Sequence, residues 1–571
     1  MSVILPEAHA NPCLDANAFL GIDEACFSIR NFYTIAVTFY SVISDAYSGN
    51  GSPLTLPPDS NRTLVVTTKY PLHIYYKAEN ELCHTTYTFK EHGSYGWNIS
   101  RKYICSDIYV LREPTQSYLP IFAAFMLYML LAVVWATSKV IIRVIKGKLS
   151  PDNIPDDLNR LQEAEVTPTY PLVRTTKSST RIQSVDAFRG ISILLMIFVN
   201  NRGGQYVFFN HSAWFGLTVA DLVLPWFAWI MGLTIAISKR TELRLTISRW
   251  KIILRCLQRS LTLTLLGLMI NSINNNSLSD LRLPGVLQLL AVSYFVCATL
   301  ETIFMRTHSQ DDLLQFGRFA MFRDILDNWR QWVVMACIVL THTLITFLLP
   351  VPNCPTGYFG PGGEFDYRGK YMNCTAGAAG YIDRLILGNH TYAKTKSFVY
   401  GDIARHDPEG IMNTISAILI VYMGVHAGKI LLSYYQYNSR IIRWTLWAAV
   451  TGIAAGILCN FEKAGGVIPV SKNMMSLSYV LTTSSFAFLL YAILYLLIDY
   501  KQYWSGAPFI YAGINPILLY VGHILTKNLF PWAWNIVYPT HATVLMMNLW
   551  TTTLWTIIAY LLYRKDIILT V

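Results

Sequence analysis

The sequence predicts a polytopic α-helical membrane protein with about 11 transmembrane helices, preceded by a small β-rich lumenal domain at the N-terminus. Of the 571 residues, 53% are apolar and only 14% are charged, and the mean hydropathy is positive, which excludes an ordinary soluble chain. Runs of roughly twenty apolar residues, enough to cross a bilayer, recur through the last four-fifths of the chain. The first 117 residues differ in kind and are rich in Thr, Tyr, Val and Ile.

The N-terminal part, residues 1–117, is predicted to be a β-rich domain. Its segments, such as "TLVVTTKYPLHIYYK", partly alternate apolar and polar residues and are broken by Gly, Pro and Asn, as strands are. In an oxidising lumen its cysteines would tend to pair. The sequence leaves the connectivity of Cys13, Cys26 and the others open, although Cys83 with Cys105, and Cys354 with Cys374 in a later loop, have the best claim.

The first twenty residues show neither the basic region nor the long apolar core of a signal peptide. A domain on the lumenal side normally needs such a leader. We therefore expect a leader that precedes the given residues, rather than translocation of the domain by the first span.

Residues 118–571 are predicted to form the membrane domain. Its apolar runs differ in length and in their content of Gly, Ser and Thr. They lie near 119–142, 187–200, 217–238, 252–270, 286–304, 332–349, 411–427, 441–459, 476–498, 508–526 and 543–563.

Basic residues set the predicted orientation. Lys and Arg cluster in the connectors after the first, third and fifth spans and at the C-terminus, and such loops stay in the cytosol. The N-terminus is then lumenal, the C-terminus is cytosolic, residues 146–183 form a cytosolic linker, and residues 351–408 fold over the lumenal mouth. The net charge of +11 largely reflects this asymmetry, so it gives no reason to expect a nucleic-acid partner.

Glycosylation sequons agree with this orientation. Four of them, all on the predicted lumenal side, are candidates for N-linked glycans: Asn61, Asn98, Asn373 and Asn389.

The connector between the second and third spans is unusually rich in groups capable of chemistry. It reads "VNNRGGQYVFFNHSAWFGLTVADLVLPWF". His211 could act as a base, since an unperturbed imidazole titrates near ~6.5, and Asn200 could donate its amide to an oxyanion. Asp221 is an ionisable residue inside a span, and such residues are usually functional. The alternative for His211, which lies among aromatic residues, is a purely structural role.

Motifs in the membrane domain carry a resemblance to a known family. Between Arg181 and Arg564 the chain contains, in order, "SVDAFRG", "HSAWFGLTVADLVLPWFAWIMG", "RLPGVLQLLAVSYF", "PVPNCPTGYFGPGG", "DPEGIMNTISAILI" and "SLSYVLTTSSFAF". With these motifs it resembles the heparan-α-glucosaminide N-acetyltransferase family. The resemblance implies transfer of acetyl from cytosolic acetyl-CoA to the terminal glucosamine amine of heparan sulfate in the lysosomal lumen. It also implies a homodimer in the lysosomal membrane, no metal, and active-site roles for His211 and its partner Asn200.

Residues at the two mouths of such a bundle are candidates for substrate binding. Acetyl-CoA carries phosphates, which suit basic side chains at the cytosolic ends of spans; the candidates are Arg189, Lys251, Arg255 and Arg259. For Lys251 a purely topological role is at least as good an interpretation. On the lumenal side we expect acidic groups to hold the amine and polar groups to hold sulfate or uronate. These candidates are Asp221, Asp407, Glu409, Lys472, Asn473 and His523, and for His523 a core role fits equally well.

Two alternatives remain at this point. Polar residues midway through many spans would also suit a polytopic transporter, although a transporter is expected to show two similar halves and none is seen in the sequence. The second alternative keeps a membrane acyltransferase but changes the acceptor to another amino sugar.

Overall fold

A computed structural model describes most of the chain. The described residues are 13, 19–43, 52–78, 81–100, 105–149, 181–245, 248–273, 277–305, 322–363, 370–392, 396–397 and 399–569. Most of the predicted linker 146–183 therefore lies outside them. The first long helix belongs to a compact unit of its own, residues 116–182, and is described by itself; the remaining residues form the other unit.

The N-terminal domain contains two four-stranded sheets, which confirms the predicted β-rich character. One sheet has the order β4-β1-β7-β8 and the other β3-β2-β5-β6. Strand β1 runs antiparallel to β4 and parallel to β7. The strands are β1 (Glu24–Asn31), β2 (Val37–Ile43), β3 (Ser52–Leu56), β4 (Asn61–Thr67), β5 (Leu72–Ala78), β6 (Glu81–Tyr87), β7 (Ser94–Ile99) and β8 (Tyr109–Arg112).

Aromatic side chains fill the space between the two sheets. Phe27 and Trp97 come from one sheet and Phe39 from the other, and all three are buried. The ring centroids of Phe39 and Trp97 are 6.0 Å apart in an edge-to-face arrangement, the geometry that aromatic pairs prefer. The disulfides favoured by the sequence, Cys83–Cys105 and Cys354–Cys374, are both present, and a third joins Cys13 to Cys26.

The membrane part is helical, as predicted. Among the described residues, ten helices are long and apolar enough to cross a membrane. The helices are α1 (Leu119–Leu149), α2 (Gln183–Asn200), α3 (Val219–Arg244), α4 (Arg249–Ser272), α5 (Val286–Phe304), α6 (Arg323–Leu326), α7 (Trp329–Leu348), α8 (Gly377–Leu387), α9 (Ile411–Ser433), α10 (Tyr437–Cys459), α11 (Leu477–Tyr495), α12 (Phe509–Ile514), α13 (Pro516–Thr526) and α14 (His541–Arg564).

The predicted span at 508–526 differs from the expectation, because it is two short helices, α12 and α13, rather than one. Pro516 has no N–H to donate and its ring clashes with the preceding turn, so the helix is interrupted there. The side chain of Asn515 donates to Ile567 O at 2.8 Å and accepts from Leu569 N at 2.9 Å. The break is therefore tied to the C-terminal segment.

Helix α9 is the centre of the membrane part and is almost entirely buried. It approaches α3 closely at two glycines. A Cβ on Gly232 would overlap Val421 O, and a Cβ on Gly424 would overlap Trp229 O, so small residues at this interface let the backbones meet. The close contact fixes α3, whose first turn carries Asp221.

The N-terminal domain packs on one face of the helix bundle, which we call the N-domain face. Trp214 from the connector after α2, Ala376 from the 351–408 segment and Met474 before α11 belong to one hydrophobic cluster with the core of that domain. The short strands β9 (Lys396–Ser397) and β10 (Gly401–Asp402) pair within the same segment. Described residues of the 351–408 segment thus contribute to this face, and their covering of a lumenal mouth stays a prediction.

A buried carboxyl group in that segment links folding stability to pH. Asp383 in α8 accepts a hydrogen bond from Ile411 N at 3.0 Å and so caps the N-terminus of α9. Burial, together with the nearby charge of Asp407, raises the pKa of Asp383 to about 7. A raised pKa means that the folded protein binds this proton more tightly than the unfolded chain, so the stability gained is complete below the unfolded value and is lost as pH rises to about 7.

Replacing Asp383 by Asn should remove this dependence. The amide oxygen can still accept from Ile411 N but carries no charge at any pH, so wild type and variant should unfold at similar temperatures near the unfolded pKa. The variant should then become the more stable protein as pH rises toward about 7, by on the order of 4 kcal/mol at most. Thermal unfolding of the full chain across this range tests the difference, and parallel curves would contradict it.

Candidate active site

The connector between α2 and α3 begins with a strained turn. Four consecutive residues, Arg202 to Gln205, have positive φ values of 79°, 52°, 69° and 63°. Two of them are glycines, which adopt this conformation freely, but Arg202 and Gln205 are not, and for such residues it costs free energy. A Cβ on Gly204 would lie only 3.0 Å from the Tyr206 ring, so the turn also needs a small residue.

His211 and Asp221 form a hydrogen-bonded pair at the N-domain face. His211 Nδ1 lies 2.8 Å from Asp221 Oδ1, and the other oxygen of Asp221 accepts from Ser212 N at 3.1 Å, Thr218 N at 3.2 Å and Thr218 Oγ1 at 2.9 Å. A carboxylate only accepts, so the proton of a neutral His211 is on Nδ1 and the lone pair is on Nε2. The His211 side chain is 50% exposed while Asp221 is fully buried. The pair therefore presents an imidazole nitrogen that can take up a proton.

The local sequence explains why Asp221 is held so firmly. Thr218 and Asp221 are the first and fourth residues of a capping box at the start of α3, in which each side chain binds the other residue's backbone. Tyr479 in α11 donates its hydroxyl to Asp221 O at 2.6 Å. The carboxylate thus has a fixed place, and through it the His211 ring is oriented.

Lys472 lies against the same pair. Its Nζ is 3.0 Å from His211 Nδ1, 3.1 Å from His211 Nε2 and 4.0 Å from Asp221 Oδ1. Burial lowers the pKa of Lys472, although Asp221 and Glu409 act in the opposite direction. Since Nε2 is the ring nitrogen that can accept, the Lys472 ammonium donates to it, and an acceptor amine must displace this contact to pass its proton to Nε2.

Asn200 and His523 form a second polar pair. Asn200 Nδ2 lies 3.1 Å from His523 Nε2, and His523 Nδ1 lies 3.2 Å from Leu519 O. A carbonyl oxygen only accepts, so His523 Nδ1 carries the proton and Nε2 accepts from the Asn200 amide. The predicted catalytic residues His211 and Asn200 both border the same cavity, and His523 orients the second of them.

Asp407 and Glu409, the acidic candidates for binding the amine, differ in their position relative to the cavity. Both oxygens of Asp407 accept from Arg282, at 2.6 and 2.8 Å, and one also accepts from Tyr392 N. Burial alone would raise the pKa of Asp407, but the hydrogen bonds and charge of Arg282 bring it below the ordinary value. Glu409 also binds Arg282 but borders the cavity. Asp407 therefore holds Arg282 in place behind Glu409, which is the acidic group that faces the cavity.

One cavity of about 450 Å³ connects these residues to the opposite end of the bundle, a size typical of ligand sites. At the N-domain face it is bordered by His211, Glu409 and Lys472, and further along by side chains of α2, α3, α4, α5, α12 and α13. Its lining on α3 extends from Ala220 to Ser238, which is about 27 Å of helix and close to the thickness of a bilayer core of about 30 Å.

The predicted donor-binding residues divide into two groups. Arg189 and Arg259 border the cavity. Arg189 also binds Asp186 Oδ1 at 3.2 Å and Gly513 O at 3.1 Å, and the Arg259 guanidinium lies 4.8 Å from the centre of the Tyr294 ring. Lys251 and Arg255 are exposed on α4 and are not among the lining residues of this cavity in the described chain.

The remaining candidates have other positions. Asn473 is not among the residues that line the described cavity, and its carbonyl accepts from His406 Nε2 at 2.7 Å.

Of the sequon residues, Asn61, Asn373 and Asn389 are exposed and Asn98 is half-buried, and all lie in the N-terminal domain or the 351–408 segment. Glycosylation stays a prediction. Within the described ranges, no three His, Cys, Asp or Glu side chains are grouped to hold a metal ion.

Sequence reasoning missed three contributors to the site. Thr218 had a recognisable signal, since a Thr followed by an Asp three residues later before an apolar run is the capping-box pattern. Arg282 appeared only as an isolated basic residue in a loop, and its partners are more than a hundred residues away. Tyr479 carries no local signal, because its role depends on the packing of α11 against α3.

Comparison with known proteins indicates the same family as the motifs between Arg181 and Arg564. No protein-family model matches the chain. A protein of Homo sapiens named heparan-alpha-glucosaminide N-acetyltransferase is 40% identical over 518 residues, which cover 86% of this chain and 77% of the relative. A protein of Mus musculus with the same name is 36% identical, with 99% of this chain and 92% of the relative covered. With identity of this degree over most of both lengths, the chain belongs to the heparan-alpha-glucosaminide N-acetyltransferase family, a family of transferases.

Proposed function

We propose that this chain transfers an acetyl group from cytosolic acetyl-CoA to the amine of a terminal glucosamine of heparan sulfate on the other side of a lysosomal membrane. The observation that carries the proposal is the cavity that leads from the His211–Asp221 pair to Arg189 and Arg259. Its lining extends along most of α3, so a donor entering at one face can meet an acceptor entering at the other.

The residues at the N-domain face suit the chemistry of N-acetylation. The amine nitrogen attacks the thioester carbonyl, a C–N bond forms, the C–S bond breaks, and the proton lost by the amine goes to His211 Nε2. His211 Nε2 then gives this proton to the leaving thiolate, which makes the thiol and returns the imidazole to its neutral form. A positioned base contributes ~10²–10⁴ in rate. Asn200, held by His523, can donate its amide to the oxyanion, which is worth ~10²–10³.

The acceptor is an amine on an anionic polymer, and the mouth of the cavity offers both charges. Glu409 can bind the ammonium before it loses its proton, and Lys472 can bind sulfate or uronate. Asp407 supports Glu409 through Arg282. Asp221 has a different role in this proposal, as the residue that orients His211.

The orientation and assembly belong to the same proposal. The N-domain face is lumenal and the C-terminus cytosolic, in keeping with the basic connectors and with four sequons in the segments predicted to be lumenal. Membrane lipid surrounds the helices, and the protein assembles as a homodimer, as the resemblance to the family implies.

Sealed proteoliposomes test the proposal directly. Chains whose N-domain face is inside should acetylate a trapped heparan sulfate oligosaccharide with a terminal glucosamine when acetyl-CoA is added outside. Acceptors with another amino sugar, trapped in parallel, test the second acyltransferase alternative. Movement of the oligosaccharide or of intact acetyl-CoA across the membrane without acetylation would instead support a transporter.

Arg259 and Arg255 form a matched pair for the donor site, since both are arginines on α4 one turn apart but only Arg259 borders the cavity. Arg259→Gln should raise the KM for acetyl-CoA by roughly ten- to a hundredfold, because a charge-assisted contact with phosphate is worth ~1.5–3 kcal/mol. Arg255→Gln should change it less than about twofold, as an exposed charge away from the site. The measurement is steady-state kinetics with donor and acceptor varied separately. An unaltered KM for acetyl-CoA in both variants would show that the arginines serve topology alone, and equal rises in both would show that bordering the cavity does not distinguish them.

A further inference from the structure

His541, the first residue of α14, lies between the N-terminal domain and the connector that begins with the strained turn. It is buried. Its Nδ1 lies 2.9 Å from Gly204 O, and its Nε2 lies 3.3 Å from Asp23 Oδ1 and 3.5 Å from Glu91 Oε2. The ring also stacks on Tyr206, with 4.2 Å between centroids and 15° between planes. One side chain thus joins three separate parts of the chain.

The partners of His541 decide which of its nitrogens carry protons. A carbonyl oxygen only accepts, so the contact with Gly204 O requires a proton on Nδ1. Carboxylates also only accept, so the contacts with Asp23 and Glu91 require a proton on Nε2. A neutral imidazole has one proton and can satisfy one side only, whereas the imidazolium satisfies both.

The charges around His541 give the same result. Lys69 Nζ lies 3.6 Å from Asp23 Oδ2, and His92 Nε2 lies 3.9 Å from Glu91 Oε1. With a charged His541, two carboxylates face two full positive charges. With a neutral His541, two largely buried carboxylates share the full positive charge of Lys69 and the more distant contact with His92, which is costly.

The contact of His541 with Gly204 O affects the active site through the strained turn. Gly204 lies among the four residues with positive φ, and Arg202 and Gln205 keep this conformation only if their surroundings enforce it. Asn200 lies just before the turn and His211 just after it. Release of Gly204 O would let the turn relax, and the relative placement of Asn200 and His211 would change with it.

We propose that His541 is a positioning residue which, as the imidazolium, clamps the connector to the N-terminal domain, so that the active site is assembled in acidic surroundings and loosened in neutral ones. The consequence for activity rests on the proposed function. The clamp itself does not, because it concerns the contacts of this chain with itself.

Two substitutions separate the two sides of the clamp. His541→Asn places an amide nitrogen where Nδ1 lies and can keep the contact with Gly204, while His541→Gln places one where Nε2 lies and can keep the contact with Asp23 and Glu91. Neither titrates, so each loses one side at every pH. His73→Gln is the matched control, since His73 lies in the same domain and binds Thr86 instead.

Hydrogen exchange on the full chain in a lipid environment measures the clamp without any activity. The backbone N–H of Gln205 donates to Arg202 O, and that of Phe209 donates to Tyr206 O, so both report on the connector. At about pH 5 these amides should exchange at least ~10-fold more slowly than at about pH 7.5, after correction for the intrinsic exchange rates. A difference of this size is expected for a charge-assisted contact. In both His541 variants protection should be low at either pH, and His73→Gln should behave as wild type.

Activity gives the second measurement. The ratio of wild-type to His541→Gln kcat/KM should be about ten near pH 5 and should approach one near pH 7.5, because ionisations common to both proteins cancel in the ratio. If exchange protection is the same at both pH values, or survives in both variants, the clamp is refuted. If protection follows pH as stated but wild type acetylates no glucosamine acceptor, the clamp stands and the proposed function fails.

Discussion

Substitution of His211 by Ala should reduce acetyl transfer by about 10²–10⁴, since the proposed mechanism would lose its base. The loss should fall on kcat, because the ring contributes chemistry rather than affinity. Binding of acetyl-CoA should persist within about twofold, since its phosphates are proposed to bind Arg189 and Arg259, which this substitution leaves in place. Steady-state kinetics together with direct donor binding measures both quantities on the same preparation.

The same variant distinguishes two forms of the mechanism. If His211 first accepts the acetyl group itself, wild type incubated with acetyl-CoA alone should become labelled, and His211→Ala should not. If it acts only as a base, neither protein is labelled and both substrates must be bound together. Turnover close to wild type in a correctly folded variant would remove His211 from the mechanism altogether.

Much of the fold could be predicted from the sequence, because a bilayer imposes strong local rules. A span needs an unbroken apolar run, and ten such runs are helices in the described residues. The run at 508–526 shows the limit of that rule, since hydropathy does not register a helix interrupted at Pro516. The β-rich domain was equally visible from its alternation, but the order of its strands was not, because pairs such as β1 with β7 join distant segments.

The candidate site could be predicted only where it is local. His211, Asn200 and Asp221 lie in one continuous segment, and the pair that His211 forms with Asp221 spans only ten residues. The substrate-binding residues were harder to predict from the sequence, because a polar residue near the end of a span can face either the cavity or the outside of the bundle. Asp407 and Glu409 are two residues apart, yet only Glu409 borders the cavity. Likewise Arg255 and Arg259 are the same residue type one turn apart on α4, yet of the two only Arg259 borders the cavity.

Asp221 offers the sharpest test of the site. An Asn in its place should fit, and yet it should move the ring proton of His211 from Nδ1 to Nε2. The oxygen that accepts from Ser212 N and Thr218 N must remain an acceptor, so the amide oxygen of Asn would take that position. Its NH₂ group would then face His211 Nδ1, which must accept, and the ring proton would move to Nε2. The nitrogen that should receive the amine proton would already be occupied.

Asp221→Asn should therefore reduce kcat by about 10³–10⁴, similar to the loss when the equivalent carboxylate of a Ser-His-Asp triad is replaced. The KM for each substrate should change less than about threefold, since the helix cap and the walls of the cavity remain. Asp383→Asn is the matched control, a buried carboxyl that caps α9 outside the site, and near pH 5 it should keep wild-type kcat within about twofold. Kinetics at several pH values decides the matter: a variant with unaltered kcat would show that Asp221 only caps α3, and a variant with raised KM alone would show that it binds substrate.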